Sequence, residues 1–352
     1  MGTPNVNSAV ANPFEKLKGF YRKYKAWVLL ALFVIVALIP IVYDDVYYKN
    51  IMVKILMYVI IASSLNMING YSGQFNLGQA GFLCIGAYTA GMLSTRLGWN
   101  FFIVLPLSGL MTMVFGYLVS KPTLRLSGIY LSIVTLGFSE IVRLVVYNWT
   151  DFTGGPLGIK NIPAPEIFGF SFKGTNEFYY LVLGLMVITL FIMHRVLDSK
   201  VGRAWMSIRE DQLAASSLGV ELKKYKSTNF MFGAFFAGIG GCLFAYFYRY
   251  IDANMFLLDE GFNVISMVVI GGQGTLVGPV LGAVIVNALT EALRSLEQFR
   301  MVIYAALIIF MMWWRPQGLA GASNSILAGG KLRRKQTATV EEETEDEGGE
   351  IT

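Results

Sequence analysis

The sequence predicts an all-α polytopic membrane protein, a bundle of helices that cross a lipid bilayer eight to ten times. Two observations predict this fold. Apolar residues make up 55% of the 352 residues, charged residues make up 14%, and the mean hydropathy is +0.56, whereas an ordinary soluble domain is about 25% charged. The apolar residues also cluster in runs close to the roughly 20 residues that a helix needs to cross a bilayer.

Six apolar runs are the stronger candidate spans, and three further runs are weaker candidates. The stronger runs are residues 26–43, 51–69, 101–120, 126–146, 179–193 and 228–247. The weaker runs are residues 78–95, 262–293 and 301–314. Glycines inside these runs predict close packing, because small residues let two helix backbones approach each other in lipid. These glycines are Gly78, Gly81, Gly86, Gly91, Gly233, Gly238, Gly240 and Gly241.

The basic residues lie unequally on the two sides of these spans. If residues 26–43 cross first and the sides then alternate, one set of loops holds most of the Lys and Arg. The positive-inside rule therefore predicts a cytoplasmic basic N-terminal segment at residues 1–25 and a cytoplasmic loop at residues 196–227. The net charge of +5 follows the membrane in this way and does not predict nucleic-acid binding.

Two further segments complete the predicted organisation around a transmembrane domain at residues 26–316. Residues 148–176 form the longest external loop, and a loop of this length is typical of a docking surface for a partner. Residues 317–352 lose the apolar character and pass from a basic stretch to an acidic one. Such a tail buries too little apolar surface to fold, so we expect it to be disordered and cytoplasmic.

A weak two-fold internal repeat is visible where two apolar helices break. A Gly-Gln-x-(Asn/Thr)-Leu core occurs at residues 73–77 and again at residues 272–276. Interrupted helices in two halves of a transporter indicate a pathway near the midplane of the membrane. Polar residues near the breaks are therefore candidates to line it: Asn66, Asn69, Gln74, Asn76, Gln79, Gln273 and Thr275. The alternatives are chance similarity in a Gly-rich chain and, for these side chains, hydrogen bonding between helices.

The sequence offers little catalytic chemistry. It has no Gly-x4-Gly-Lys-(Ser/Thr) loop for ATP, no cluster with metal-ligand spacing and no nucleophile beside a histidine, so we predict no cofactor, metal site or catalytic residue. Glu140 and Arg143 lie three residues apart in an apolar run. They are predicted to pair with each other, with a role in a pathway as the alternative.

The polar segment at residues 198–226 stands out between long apolar runs. Residues 203–218 predict one amphipathic helix with Trp205, Ile208, Ala215 and Leu218 on roughly one side, and Gly219 is a natural stop. One interpretation is an interfacial helix that lies at the lipid headgroups. The other is a helix that is offered to a soluble partner.

Several motifs resemble those of a known family. The residues Gly202, Arg203, Arg209, Glu210, Asp211, Ala214, Ala215 and Gly219 resemble the cytoplasmic coupling loop of ABC-importer permeases. Residues 69–81, 128–143, 270–282 and 314–319 resemble the branched-chain amino acid permease family, in particular its LivM-type subunits. The resemblance covers about residues 50–320. Its Glu210 and Ala214 are further apart than the strict Glu-Ala-Ala form of other importer families.

The resemblance implies a permease subunit that is not itself an enzyme, in a bacterial inner membrane. A second, LivH-like permease subunit would enclose the pathway, two cytoplasmic ATPase subunits would bind ATP, and a periplasmic binding protein would deliver Leu, Ile or Val. Glu210 and Asp211 would contact the ATPase, with Trp205 and Leu218 as apolar anchors. The alternatives are a permease for urea or short-chain amides and, from another class, a self-contained channel or secondary carrier. A membrane-embedded enzyme lacks a visible catalytic constellation.

Overall fold

The computed structural model describes residues 45–293 apart from residues 125, 127, 168 and 169, together with residues 37, 38, 40, 306, 309, 310, 313 and 318–320. The predicted segment 1–25 lies outside the described residues. The predicted runs 26–43 and 301–314 and the predicted tail 317–352 lie largely outside them. Met1–Asn50 and Ile51–Thr352 are two compact units, and the packing described below lies within the second.

The described residues are mostly helical. The helices are α1 Val46–Asn66, α2 Gln79–Arg96, α3 Phe101–Thr123, α4 Ile129–Asn148, α5 Thr150–Thr153, α6 Thr175–Leu197, α7 Lys200–Glu210, α8 Gln212–Ser217, α9 Leu222–Tyr248, α10 Leu258–Gly271 and α11 Val277–Ala292. A π-helical turn at Met67–Tyr71 extends α1, and 3-10 turns lie at Gly155–Leu157 and Ala253–Phe256. The strands are β1 Ile159–Lys160, β2 Glu166–Ile167, β3 Phe170–Ser171 and β4 Tyr250–Ile251.

Five helical segments of the described chain are long and apolar enough to cross a membrane. They are Val46–Tyr71, Phe101–Thr123, Ile129–Asn148, Thr175–Leu197 and Leu222–Tyr248. Each contains or overlaps one of the stronger predicted runs, and α11 is a shorter apolar helix. The prediction of a polytopic all-α membrane protein is therefore confirmed, with short strands added in the loops. The number of eight to ten crossings stays a prediction.

Helix α9 is at the centre of the packing and contacts both α2 and α3. Its glycines bring the backbones together, as predicted from the sequence. A Cβ atom at Gly86 of α2 would lie 2.6 Å from the Cα of Gly238 in α9, which is closer than real Cβ contacts allow. On another side of α2, a Cβ at Gly81 would lie 2.8 Å from the Cα of Ser139. These contacts confirm that small residues set the distances between helices.

The loops join in two groups that agree with the predicted alternation of sides. In one group, β1 pairs antiparallel with β4, and Arg96 donates hydrogen bonds to the carbonyl oxygens of Asp151 and Phe152 at 3.0 and 2.7 Å. The predicted external loop 148–176 is thus tied to the loops that follow α2 and α9. The segment that contains α7 and α8 contacts the opposite group, the π-helical turn and the start of α9.

Candidate functional site

The predicted amphipathic segment folds as two helices, α7 and α8, and the prediction of a single helix over residues 203–218 is wrong. The chain breaks at Asp211, whose backbone is extended with φ −155° and ψ 118°. Its carboxylate accepts hydrogen bonds from the backbone N–H groups of Leu213 at 2.7 Å and Ala214 at 3.0 Å. Asp favours such an N-cap over a helix interior because its short side chain replaces the missing helical acceptors. Gly219, with φ +85°, follows α8 as predicted.

Helix α7 is fixed to the bundle by its inner side. Ser199 caps its start and accepts a hydrogen bond from the N–H of Val201 at 3.2 Å. The side chain of Trp205 is fully buried, and its Nε1 donates to the carbonyl oxygen of Tyr225, at the start of α9, at 3.0 Å. This burial corrects the prediction that Trp205 offers an apolar contact to a partner, because a fully enclosed ring has no surface to offer. Trp205 instead joins α7 to α9.

The outer side of α7 and α8 carries both charged and apolar groups on an exposed surface. Leu213 and Leu218 are 80% and 85% exposed, which is unusual for leucine side chains beside a well-packed bundle. The other exposed residues that the sequence predicted for this site are Arg203, Glu210, Asp211, Ala214 and Gly219. The predicted Gly202 and Ala215 are buried and pack inward. The exposed set forms a continuous surface, which we call the coupling surface.

Two helix interruptions lie where the sequence predicts them. After the π-helical turn, residues 72–78 run without helical structure until α2 begins at Gln79. The second interruption spans residues 272–276 between α10 and α11. Corresponding side chains of the two interruptions do corresponding work: Asn76 Oδ1 accepts a hydrogen bond from the Gly78 N–H at 2.9 Å, and Thr275 Oγ1 accepts one from the Gly278 N–H at 3.0 Å. Each begins the next helix in this way.

Asn66 connects the two interruptions. Its Oδ1 accepts a hydrogen bond from the backbone N–H of Gly274 at 2.9 Å, and its Nδ2 donates to the carbonyl oxygen of Thr275 at 2.8 Å. The residue is 1% exposed. Backbone groups freed at a helix break in a membrane need partners within the protein or a water-filled cavity. Asn66 supplies partners to the second interruption from the last residue of α1, more than 200 residues away in sequence.

The other predicted pathway amides of the first interruption are buried and hydrogen-bonded inside the chain. Asn69 pairs with the backbone of Asn76, accepting from its N–H at 3.0 Å and donating to its carbonyl oxygen at 3.3 Å. Gln74 Nε2 donates to Ser72 Oγ at 2.8 Å, and Gln79 Nε2 donates to Ser64 Oγ at 2.8 Å. These bonds are what the alternative role, hydrogen bonding between helices and segments, predicts.

Some hydrogen-bonding capacity is left over around the interruptions. Among the described residues, neither Asn76 Nδ2 nor Gln79 Oε1 has a hydrogen-bond partner, although both atoms are buried. In the second interruption, Gln273 and Thr275 are partly exposed. The structure therefore brings all seven predicted polar residues to the two interruptions. A pathway role for them stays a prediction.

The comparison with protein families decides which class of protein this is. Residues 47–312 match the family described as the permease component of the branched-chain amino acid transport system. The chain belongs to this permease family. The matched region contains both interruptions and the coupling surface. No solved structure matches the permease.

Curated relatives of the permease carry consistent names. It is 39% identical over 287 residues to the "High-affinity branched-chain amino acid transport system permease protein LivM" of Escherichia coli strain K12, which covers 75% of this chain and 68% of that protein. The identity to the protein of the same name from Salmonella typhimurium strain LT2 is 40%, with the same coverage. A probable LivM of Methanocaldococcus jannaschii is 24% identical over 314 residues, 75% of this chain and 90% of that protein.

Sequence reasoning missed three residues that shape the permease site. Asn229 of α9 is fully buried, and its Nδ2 donates to the carbonyl oxygen of Met67 in the π-helical turn at 2.9 Å. Tyr58 of α1 donates its hydroxyl hydrogen to Glu260 Oε1 of α10 at 2.6 Å. Asn229 interrupts a predicted apolar run, so an isolated amide in such a run was a usable signal. The Tyr58–Glu260 contact links residues 202 apart and leaves no local pattern.

The predicted ion pair inside the membrane is confirmed. Arg143 Nε donates to both carboxylate oxygens of Glu140 at 3.0 Å, and Arg143 Nη2 also contacts Glu140 Oε1. The pairing compensates two charges that would each be costly alone in lipid. Within the described ranges, no group of three or more His, Cys, Asp or Glu side chains is placed to hold a metal ion.

Proposed function

We propose that this permease is the membrane-spanning subunit of an ATP-driven importer that carries Leu, Ile and Val across a bacterial inner membrane. The observation that carries the proposal is the route of contacts from an exposed surface to the interruptions. The coupling surface belongs to α7 and α8, and Arg209 Nη1 of α7 donates to the carbonyl oxygen of Gly70 in the π-helical turn at 2.6 Å. A force applied to the outer side of α7 therefore acts directly on an interrupted helix.

The coupling surface has the composition expected of a docking site for a soluble motor. Two carboxylates, Glu210 and Asp211, lie between the largely exposed side chains of Leu213 and Leu218 and the cation of Arg203. We assign it to a pair of cytoplasmic ATPase subunits, which bind the ATP. The N-terminus is cytoplasmic in the same assignment, because the positive-inside rule places the coupling surface and residues 1–25 on one side.

Two more partners complete the proposed importer. A second permease subunit of the same family packs against this chain in the lipid. A periplasmic binding protein delivers the amino acid to the external loop 148–176, which β1 anchors to β4. Exposed large side chains on this loop, Trp149 and Leu157, are 54% and 70% exposed and offer it contact area.

The proposed pathway runs beside the two interruptions. The amides and hydroxyls of Asn66, Asn69, Gln74, Asn76, Gln79, Gln273 and Thr275 provide hydrogen-bonding groups there. Gln273 and Thr275 are partly exposed, so they reach a moving solute without rearrangement of the core. A branched aliphatic side chain also needs an apolar route, and the flanking helices α1, α10 and α11 supply apolar residues in plenty.

Uptake by cells tests the proposal. A bacterial strain that lacks its own branched-chain amino acid importers is given the genes for this permease and its partner subunits, and uptake of radiolabelled leucine is measured. We expect saturable uptake that unlabelled isoleucine and valine inhibit and that urea and acetamide leave unchanged. A strain without the permease gene is the control. Inhibition by urea or acetamide, with no inhibition by isoleucine, would assign the permease to amides and overturn the substrate class.

A further inference from the structure

Arg209 differs from the other charged residues of α7 and α8 in its direction. The residue as a whole is exposed, but its guanidinium turns inward and donates through Nη1 to the Gly70 carbonyl oxygen at 2.6 Å. By contrast, the guanidinium of Arg203, on the same helix, donates to the carbonyl oxygen of Asp198 at 2.9 Å within its own segment. Arg209 is therefore the charged side chain of α7 that leaves the segment and enters the bundle.

The guanidinium of Arg209 lies where both interruptions meet. A Cβ atom at Gly73 of the first interruption would lie 3.3 Å from Arg209 Cγ. A Cβ atom at Gly274 of the second interruption would overlap Arg209 Nη1. Gly274 has φ +76°, a conformation that a residue with a side chain adopts with strain, and the space beside it is taken by the guanidinium. One cation thus contacts Gly70 and Gly73 on one side and Gly274 on the other.

The chemistry of this position favours a cation. Gly70 is in the last turn of the α1 extension, and the carbonyl groups at a helix end lack helical partners and carry partial negative charge. A charge-assisted hydrogen bond to such a carbonyl is stronger than a neutral one. The planar guanidinium also has further N–H donors close to the second interruption. Arg209 and Asn66 hold Gly274 together, because the Gly274 N–H donates to Asn66 Oδ1 at 2.9 Å.

We propose that Arg209 is the positioning residue that closes the coupling-surface end of the pathway and opens it when α7 moves. This inference rests on the proposed function, since it assigns the movement of α7 to a docked ATPase. With α7 in the position described here, Arg209 holds the two interruptions together. When α7 moves as a rigid body, the burial of Trp205 and Ile208 carries α9 with it, and the guanidinium leaves Gly70 and Gly274. Bistable packed interfaces turn such small shifts into open and closed states.

Thiol labelling in the assembled transporter tests the inference. Ser72 is 2% exposed and adjoins the first interruption, so Ser72→Cys places a near-isosteric reporter there, and the native Cys84 and Cys242 are buried. Labelling by a membrane-impermeant maleimide is measured in inside-out vesicles without nucleotide. Arg209→Ala is expected to raise the labelling rate at least about five-fold, and Arg203→Ala is expected to leave it unchanged. Equal labelling of the two variants would overturn the inference.

Transport measurements add a second, independent readout. In the chain without the reporter cysteine, Arg209→Ala is expected to retain most ATP hydrolysis by the partner subunits and to lose at least nine-tenths of leucine uptake. Arg209→Lys, which keeps the charge and shortens the donor set, guards against a folding defect and is expected to fall between Arg209→Ala and the unchanged chain. Uptake by Arg209→Ala equal to that of Arg203→Ala would contradict the proposal. If the unchanged chain shows no leucine uptake, the proposed function fails, while the labelling rates still decide the role of Arg209.

Discussion

Replacement of Asn66 by Ala tests whether the two interruptions depend on one side chain. The change removes two hydrogen bonds, at 2.9 and 2.8 Å, to Gly274 and Thr275 of the second interruption. A hydrogen bond contributes about 0.5–1.5 kcal/mol net in proteins, and bonds between membrane helices average about 0.6 kcal/mol. Two bonds therefore give a loss of about 1–3 kcal/mol in the free energy of unfolding. For a chain of this size, that loss lowers the midpoint of thermal unfolding by about 2–6 °C.

A matched control isolates the contribution of the two bonds. Asn148 is the last residue of α4, as Asn66 is of α1, and it donates to the Leu144 carbonyl oxygen in its own helix at 2.7 Å. Asn148→Ala therefore changes helix propensity similarly but breaks no contact between helices. Thermal unfolding of the detergent-purified transporter is measured for both variants. If Asn66→Ala unfolds at the same temperature as Asn148→Ala, the hydrogen bonds at Asn66 do not hold the interruptions together.

Three more predictions concern coupling, packing and the pathway. The double replacement of Glu210 and Gly219 by Ala is expected to keep ATP hydrolysis and membrane insertion but to abolish leucine uptake; unchanged uptake argues strongly against a coupling surface. Gly86→Ala is expected to destabilise the transporter by about 1–3 kcal/mol through overpacking, whereas Gly184→Ala, where an added Cβ meets no described atom within 4 Å, is expected to be nearly neutral in the same thermal assay. Gln74→Ala is expected to reduce leucine flux several-fold at equal membrane levels, and normal flux reassigns Gln74 to packing.

The membrane-spanning architecture could be predicted because it depends on local composition. Apolar runs of bilayer length predicted the five long helices that the described residues contain, and glycine placement predicted the contact of Gly86 with Gly238. The Gly-Gln repeat located both interruptions, because glycine and polar residues inside an apolar run signal a break within that run itself. Pairing of Glu140 with Arg143 was also visible, since both side chains are on one helix.

Contacts that depend on tertiary structure could not be predicted. The burial of Trp205 depends on α9, which begins 17 residues later in the sequence, so the amphipathic pattern alone placed the ring on the wrong surface. The same pattern missed the break at Asp211, where a local N-cap outcompetes helix continuation. The direction of Arg209 is set by the position of two distant glycine breaks. These long-range partners decide which residues of the segment face the bundle and which face a partner.

Reconstitution into liposomes tests the central claim, that ATP-driven movement of the coupling surface powers transport through this permease. Proteoliposomes are prepared with the whole importer or with this chain alone, and leucine accumulation is measured with and without ATP on the side of the coupling surface. The account predicts accumulation against a gradient in the whole importer with ATP and binding protein, and no flux through this chain alone. Leucine that equilibrates down its gradient through the chain alone, without ATP, would contradict the account and identify a self-contained channel or carrier.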